Sequence, residues 1–192
     1  MIKTGRTLRI LTVPGLSGSG HLHWQTIWES KFGFSRIEQD NWDNPDYSQW
    51  EKSLLQNVIS DPNKTEVVLV AHSLGCHLVV KSFPWIRDVV KGVLLVAPPD
   101  FNQGIIKQDL SSFFMTKHYE LGCPGYLIYS ENDPHASAAY SQKYGLELGL
   151  TCVSVGKHGH INSDSNLGEW GAGTIFLNEI LKTVSRLQPV LS

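Results

Sequence analysis

The stretch from Glu66 to Val80 constrains the fold of this chain more than any other part of the sequence. It begins with an apolar, β-branched run that is typical of a strand buried on both faces of a parallel sheet. It then turns through Ala71-His72-Ser73-Leu74-Gly75 and continues with helical spacing. A serine with a small residue two positions before and two after it, between a strand and a helix, is the pattern of a nucleophile elbow. A strand–turn–helix joint with a chance serine is the alternative, and this stretch alone does not decide between them.

The rest of the chain predicts one α/β domain over residues 1–192, a length that suits a single core. Apolar strands alternate with amphipathic helices, which favours a three-layer sandwich with a parallel sheet of about six strands and helices on both faces. The strands are predicted at 8–13, 35–39, 66–70, 92–97, 124–130 and 151–155, and the helices at 23–32, 46–60, after Ser73, 136–148 and 174–187. The segment 101–121 is irregular and leaves little material for a lid, so no large cap is expected.

Charge and hydropathy exclude several classes of partner. The chain has 16 Lys and Arg residues against 18 Asp and Glu residues, so it lacks the basic footprint of a nucleic-acid-binding protein. No apolar run approaches the roughly 18–20 residues that a membrane span needs. The start of the chain has no apolar signal-peptide core, which predicts a cytoplasmic protein. We therefore expect a small-molecule substrate and neither a nucleic acid nor a membrane as partner, whereas the oligomeric state is left open.

A glycine-rich loop, Pro14 to Gly20, follows the first predicted strand. It is not a phosphate-binding loop, because the lysine of that motif is missing after Gly20. The alternative is the loop of an α/β-hydrolase that supplies a backbone N–H to an oxyanion hole. On this interpretation, the N–H groups of Leu16 and Leu74 would stabilise the negative charge of a tetrahedral intermediate.

The carboxyl ends of the predicted parallel strands collect a serine, then an acid, then a histidine, in the chain order of an α/β-hydrolase. The serine, Ser73, needs a base to activate it, and a histidine needs a carboxylate to fix its tautomer. For the acid we favour Asp133, in a tight loop after a strand, over two competitors, Asp100 and Glu131. For the base, we favour His160 over His158, because His160 follows a glycine and lies farther from its strand.

Other residues have weaker indications. Trp42 and Trp170 lie in predicted loops, and Phe113 lies at the apolar centre of the 101–121 segment, so these three are the predicted lining of the pocket. His72 is expected to be structural, because it points away from the elbow. No metal or cofactor is expected, since no Cys, Asp or Glu at ligand spacing joins the close pair His21 and His23.

Six ordered stretches, spread over nearly the whole chain, carry a family resemblance. They resemble the bacterial branch of the retinoblastoma-binding protein 9/YdeN family, and they are Val13–Gly20 with His23–Gln25, Gln39–Pro45, Ala71–Cys76, Val96–Asp100, Ser130–Pro134, and Gly159–Asn162 with Gly168–Trp170. The resemblance implies a small serine hydrolase of α/β-hydrolase fold, with Ser73, Asp133 and His160 as nucleophile, acid and base. The mammalian member is named for a partner bound through L-x-C-x-E. The stretch nearest to that motif here ends in Ser154, so this partner is not expected.

Two functions follow from these patterns. The first is a metal-independent serine hydrolase that cleaves a small ester, amide or thioester through an acyl-enzyme on Ser73. The second is a binding or regulatory protein on a hydrolase fold with a vestigial triad. The retention of all three catalytic residue types in order favours the first.

Overall fold

The computed structural model describes residues 8–61, 65–103 and 110–187, and these form six strands and five α-helices. The middle of the irregular segment predicted at 101–121 lies outside the described residues, as do both chain ends of the predicted domain. The strands are Leu8–Val13 (β1), Ser35–Arg36 (β2), Glu66–His72 (β3), Val90–Val96 (β4), Gly125–Tyr129 (β5) and Thr151–Ser154 (β6). The helices are Trp24–Phe32 (α1), Tyr47–Ile59 (α2), Leu74–Ile86 (α3), Ala138–Glu147 (α4) and Gly171–Leu187 (α5).

The six strands form one parallel sheet in the order β2-β1-β3-β4-β5-β6, which confirms the predicted α/β-hydrolase-type architecture. The chain runs from β1 to the edge strand β2, crosses back past β1 to β3 and then continues outward through β4, β5 and β6, so β3 and β4 lie at the centre of the sheet. Every residue of β3 is buried, as its unbroken apolar run predicts. Two short 3₁₀ helices, Phe101–Gln103 and Ser111–Phe113, lie in the connection from β4 to β5.

Alternate side chains of each strand enter two separate cores, because successive side chains of a strand point to opposite faces. On one face, Leu69 and Ala71 of β3 pack beneath α2, α3 and α4. On the other face, Val68 and Val70 pack beneath α1 and α5. The elbow strand is therefore enclosed on both sides, and its carboxyl end is the point where it reaches the surface. Among the helices of the described residues, none has the length and apolar character that a membrane crossing requires.

Candidate active site

The turn between β3 and α3 places Ser73 in a strained backbone conformation, with φ of 54° and ψ of −125°. A non-glycine residue in such a region costs on the order of 1–3 kcal/mol, and the surrounding packing must hold it there. The N–H of Ser73 donates to the carbonyl oxygen of Val96 at 2.9 Å, which ties the turn to the neighbouring central strand. The predicted elbow geometry is present, and the serine hydroxyl lies at the carboxyl end of the sheet.

Gly75 shows why the elbow needs a small residue after the serine. A Cβ atom at this position would lie 2.6 Å from the carbonyl oxygen of Pro14 and would also collide with the carbonyl oxygen of Val13. Both oxygens belong to the backbone, so they cannot move aside as a flexible side chain would. The first turn of α3 is therefore pressed against the end of β1, which brings the glycine-rich loop next to Ser73.

His160 connects Ser73 to Asp133 through hydrogen bonds. The Nδ1 atom of His160 lies 3.0 and 2.9 Å from the two carboxylate oxygens of Asp133, and its Nε2 lies 2.8 Å from the hydroxyl oxygen of Ser73. A carboxylate only accepts, so the proton of the neutral imidazole is on Nδ1, and Nε2 accepts from the serine hydroxyl. The side chain of Asp133 is 3% exposed and that of His160 is 10% exposed.

The competing residues of the sequence analysis are engaged elsewhere. The Oδ1 atom of Asp100 accepts from the backbone N–H of Asn102 at 2.9 Å, so this aspartate caps the following 3₁₀ turn. Glu131 accepts from the hydroxyl of Ser154 at 2.9 Å. The side chain of His158 is exposed, and only its backbone takes part in the loop. The structure therefore brings Asp133 and His160 to Ser73, whereas the competitors Asp100, Glu131 and His158 do not contact it.

The loops that carry Asp133 and His160 are hydrogen-bonded to each other. Asn132, beside the acid, accepts at its Oδ1 from the N–H of Gly159 at 2.8 Å. Glu131 donates its N–H to the carbonyl oxygen of Gly156 at 2.8 Å. Asp133 is oriented from within its own loop, since its Oδ1 accepts from the N–H of His135 at 2.9 Å. These contacts fix the separation between the carboxylate and the imidazole before any substrate binds.

The two predicted oxyanion donors lie beside the serine. Gly15, which precedes Leu16, approaches the elbow so closely that a Cβ atom there would lie 2.9 Å from the backbone nitrogen of Leu74. Leu74 is the first residue of α3, where a backbone N–H has no acceptor within the helix and the helix dipole is positive. Leu16 and Leu74 both line the cavity above Ser73.

The cavity that contains Ser73 and His160 has a volume of about 280 Å³, which is small for a ligand pocket. Its wall includes Leu110, Pro99 and Asn162, none of which the sequence analysis singled out. A larger cavity of about 470 Å³ lies at the amino ends of β3 and β4, at the opposite edge of the sheet from Ser73. Ligands of open parallel sheets bind at the carboxyl ends of the strands, so we assign the smaller cavity as the site.

The predicted aromatic lining of the pocket is wrong. Phe113 is fully buried between Tyr47 and Trp50, because the 3₁₀ turn that carries it folds onto the core beneath α2. Trp170 is 5% exposed and packs on Trp24 and Trp28 under the sheet.

Trp42 also lies outside the cavity wall, and it packs against the glycine-rich loop that forms part of that wall. Its carbonyl oxygen accepts from the N–H of Ser17 at 2.9 Å, and its ring lies against the backbone of Gly18. This tryptophan supports the glycine-rich loop from behind. The sequence placed Trp42 in a polar loop, but it did not reveal to which side the ring would turn.

Three further histidines lie in the cavity wall beside His160: His23, His72 and His135. Burial lowers the pKa of all three, that of His23 to about 3 and that of His72 well below its usual value, so they are neutral near pH 7. The Nδ1 atom of His23 accepts from the N–H of Gln25 and caps α1, while its buried Nε2 has no partner in the described structure. The sequence signal for His23 was its position at the start of the helix predicted at 23–32. Within the described residues, no group of three His, Cys, Asp or Glu side chains is arranged to hold a metal ion.

Comparisons with known proteins identify the fold and the family of the chain. The model of the serine hydrolase family matches residues 10–179. A YdeN-like hydrolase from Pectobacterium atrosepticum is 28% identical over 93% of this chain and 92% of its own, with a TM-score of 0.80. The ydeN product of B. subtilis is 15% identical, with a TM-score of 0.67 over 94% of this chain and 100% of its own.

An esterase from Thermogutta terrifontis shares the fold at 14% identity, with a TM-score of 0.66 over 94% of this chain and 92% of its own. No curated protein sequence matches significantly. The family match spans most of the chain, and the resemblance to YdeN-type α/β-hydrolases is confirmed. The chain belongs to the serine hydrolase family.

Proposed function

We propose that this enzyme cleaves small esters through an acyl-enzyme on Ser73, with His160 as the base and Asp133 as the carboxylate that orients it. The observation that supports this most directly is the unbroken hydrogen-bond chain from the Asp133 carboxylate through the His160 imidazole to the Ser73 hydroxyl. The strained backbone of Ser73 supports it as well, because strain of this kind is concentrated at functional sites.

In the first half of the reaction, Nε2 of His160 removes the hydroxyl proton as the oxygen of Ser73 attacks the ester carbonyl. The tetrahedral intermediate carries a negative charge on the former carbonyl oxygen, which the N–H groups of Leu16 and Leu74 would stabilise. His160, now an imidazolium beside Asp133, returns the proton to the departing alcohol. In the second half, water attacks the acyl-enzyme by the same steps and releases the acid.

The small volume of the cavity favours a small-molecule substrate with a short acyl chain. Among the residues that the structure describes, no lysine or arginine lines the cavity, so a neutral ester fits the electrostatics of these residues better than a carboxylate-bearing one. Amides and thioesters use the same intermediates, and a substrate series of all three classes with one acyl group would rank them.

A fluorophosphonate probe, which labels activated serines covalently, provides the test. We expect the wild type to be labelled and Ser73→Ala and His160→Ala to be unlabelled. His158→Ala, a matched histidine variant in the same loop, should be labelled like the wild type. Loss of either triad residue should lower kcat/KM by roughly 10⁴-fold or more. A folded wild type that neither reacts with the probe nor cleaves any ester of the series would support the binding-protein alternative.

A further inference from the structure

His72 occupies an unusual place, directly before the serine at the end of β3. Its side chain continues the series of Val68 and Val70, and so it lies on the face of the sheet that α1 covers. It is 5% exposed. The sequence analysis expected a structural residue that points away from the elbow. The ring instead lies in the wall of the cavity that contains Ser73, beside the ring of His160.

The ring of His72 is hydrogen-bonded to the backbone of His160. Its Nε2 lies 3.0 Å from the carbonyl oxygen of His160, and because a carbonyl only accepts, Nε2 carries the proton. Burial keeps the pKa of His72 well below its usual value, so the ring is neutral and Nδ1 is unprotonated. A single tautomer of His72 therefore holds the backbone of His160, and the ring of His160 in turn accepts the serine proton.

Neighbouring rings leave His72 little freedom to turn. Its ring centroid lies 4.7 Å from that of His23, 5.0 Å from that of His160 and 6.1 Å from that of Trp24. Trp24 also donates from its indole N–H to the carbonyl oxygen of Ile161 at 2.9 Å. Two consecutive backbone carbonyls, those of His160 and Ile161, thus accept hydrogen bonds from side chains on the α1 face of the sheet.

The loop needs such support, because Ile161 is β-branched and has φ of 50°. A β-branched residue is rarely found in this region, and the surrounding contacts must hold it there. Without them, the backbone after His160 would relax, and the imidazole would move relative to the hydroxyl of Ser73.

We propose that His72 is a positioning residue, which sets the distance between the His160 imidazole and the Ser73 hydroxyl by holding the carbonyl of His160. The inference rests on the proposed function, in which that distance governs proton transfer. A displacement of about 1 Å at a reacting group can lower the rate roughly 100-fold.

The variants His72→Leu and His72→Gln test this role. Leucine keeps an apolar volume and removes the donor, whereas glutamine places an amide N–H near the position of Nε2. We expect His72→Leu to lower kcat for a short-chain ester about 10- to 100-fold with KM within about threefold, and His72→Gln to recover most of the loss.

His77 offers a matched control, since it is also buried and neutral. Its Nε2 donates to the carbonyl oxygen of Pro99 at 2.8 Å, in a loop that contributes Pro99 to the cavity wall but carries none of Ser73, Asp133 and His160. We expect His77→Leu to cost stability and to act on KM through Pro99, while kcat stays within about threefold of the wild type.

A spectroscopic readout separates positioning from mere stability. The proton between Nδ1 of His160 and Asp133 should give a resolved low-field proton NMR resonance. We expect this resonance to be kept in His77→Leu and to shift or broaden in folded His72→Leu. An unchanged resonance and an unchanged kcat in folded His72→Leu would overturn the proposal.

The test remains decisive if His72→Leu does not fold or if the wild type is inactive. If His72→Leu does not fold, His72→Asn, whose amide is too short to reach the carbonyl, replaces it, and equal kcat in His72→Asn and His72→Gln overturns the proposal. If the wild type shows neither fluorophosphonate labelling nor ester cleavage, the proposed function fails. The resonance of His160 then still reports whether His72 holds the loop.

Discussion

The two faces of the sheet carry similar aromatic side chains but direct their hydrogen bonds to different places. Under α1 and α5, the indole N–H of Trp24 donates to Ile161 and that of Trp28 donates to Glu169 at 2.7 Å. Both acceptors lie between His160 and the start of α5. Under α2, the indole N–H of Trp50 donates to the carbonyl oxygen of Asn41 at 3.1 Å, in a loop without a triad residue.

This difference teaches that equal burial need not mean an equal role. Side chains on the α1/α5 face hold the loop of the base, so their loss should affect chemistry as well as stability. Side chains on the α2/α3/α4 face hold the serine's helix and the sheet, and through Trp50, Asn41 and Trp42 they also support the glycine-rich loop, but they do not hold the loop that carries His160. Paired variants on the two faces can sharpen or break this distinction.

The largest effect is expected at Gly75, where the first turn of α3 contacts the backbone at the end of β1. Gly75→Val would press side-chain carbons against the carbonyl oxygens of Val13 and Pro14. We expect a loss of about 3 kcal/mol or more in the free energy of unfolding, since rigid backbone cannot give way. Urea denaturation measures it. A variant that folds with wild-type stability would show that the helix and β1 can separate.

Leu54 of α2 provides the next test, because it is fully buried on the α2/α3/α4 face. Leu54→Ala removes buried methyl groups and leaves a cavity, which should cost about 2–5 kcal/mol. Per folded molecule, kcat should remain within about twofold, because α2 donates nothing to the loop of the base. Denaturation and ester kinetics on the same sample measure both. A large fall in kcat would break the distinction between the two faces.

Trp24→Phe and Trp50→Phe form a matched pair across the sheet. Each loses one indole donor and some packing, so both should lose about 1–3 kcal/mol of stability through an unpaired carbonyl. Trp24→Phe should lower kcat more than Trp50→Phe, because the acceptor of Trp24 follows His160 directly, whereas that of Trp50 is connected to the site only through Trp42 and the glycine-rich loop. Equal kcat values in the two variants would contradict the assignment of the α1/α5 face to the site.

The smallest effect is expected in the stability of the fold toward acid, to which a buried histidine on each face of the sheet contributes. Burial lowers the pKa of His77 to about 4 and that of His23 to about 3, against an ordinary value of 6.5. Below pH 6.5 the unfolded chain takes up protons that the folded protein does not, so stability is lost as the pH falls. Each histidine should contribute a slope of about 1 kcal/mol per pH unit between pH 5.5 and 4.5.

His77→Leu should reduce this slope without changing the pH dependence of ester cleavage. Thermal unfolding at several pH values measures the slope, and the wild type serves as the reference. If the slope were the same in both proteins, His77 would not be neutral in the folded state.

The sheet and the elbow turn that carries Ser73 were predictable from the sequence for a shared physical reason. Buried parallel strands need uninterrupted apolar runs, and the elbow needs Gly75, so both leave local patterns. β2 was the exception, since it is limited to Ser35–Arg36 where five residues were expected. It lies at the sheet edge and pairs with β1 alone, and so little apolar patterning is required of it.

The wall of the cavity could not be predicted in the same way. Trp170 was predicted in a loop and Phe113 in the irregular 101–121 segment, but the side to which each ring turns depends on tertiary packing. The same holds for His72, whose acceptor is 88 residues away along the chain. Side-chain roles that depend on distant backbone leave no local pattern.

The cluster of Trp24, Trp28 and Trp170 has an optical consequence. The three rings lie within 4.7 to 5.9 Å of one another, and Trp28 and Trp170 are stacked at 14°. Indoles this close couple electronically, so their near-ultraviolet circular dichroism depends on their mutual orientation. Since Trp24 and Trp28 are also bonded to the chain that follows His160, this signal would monitor the loop of the base without any substrate or label.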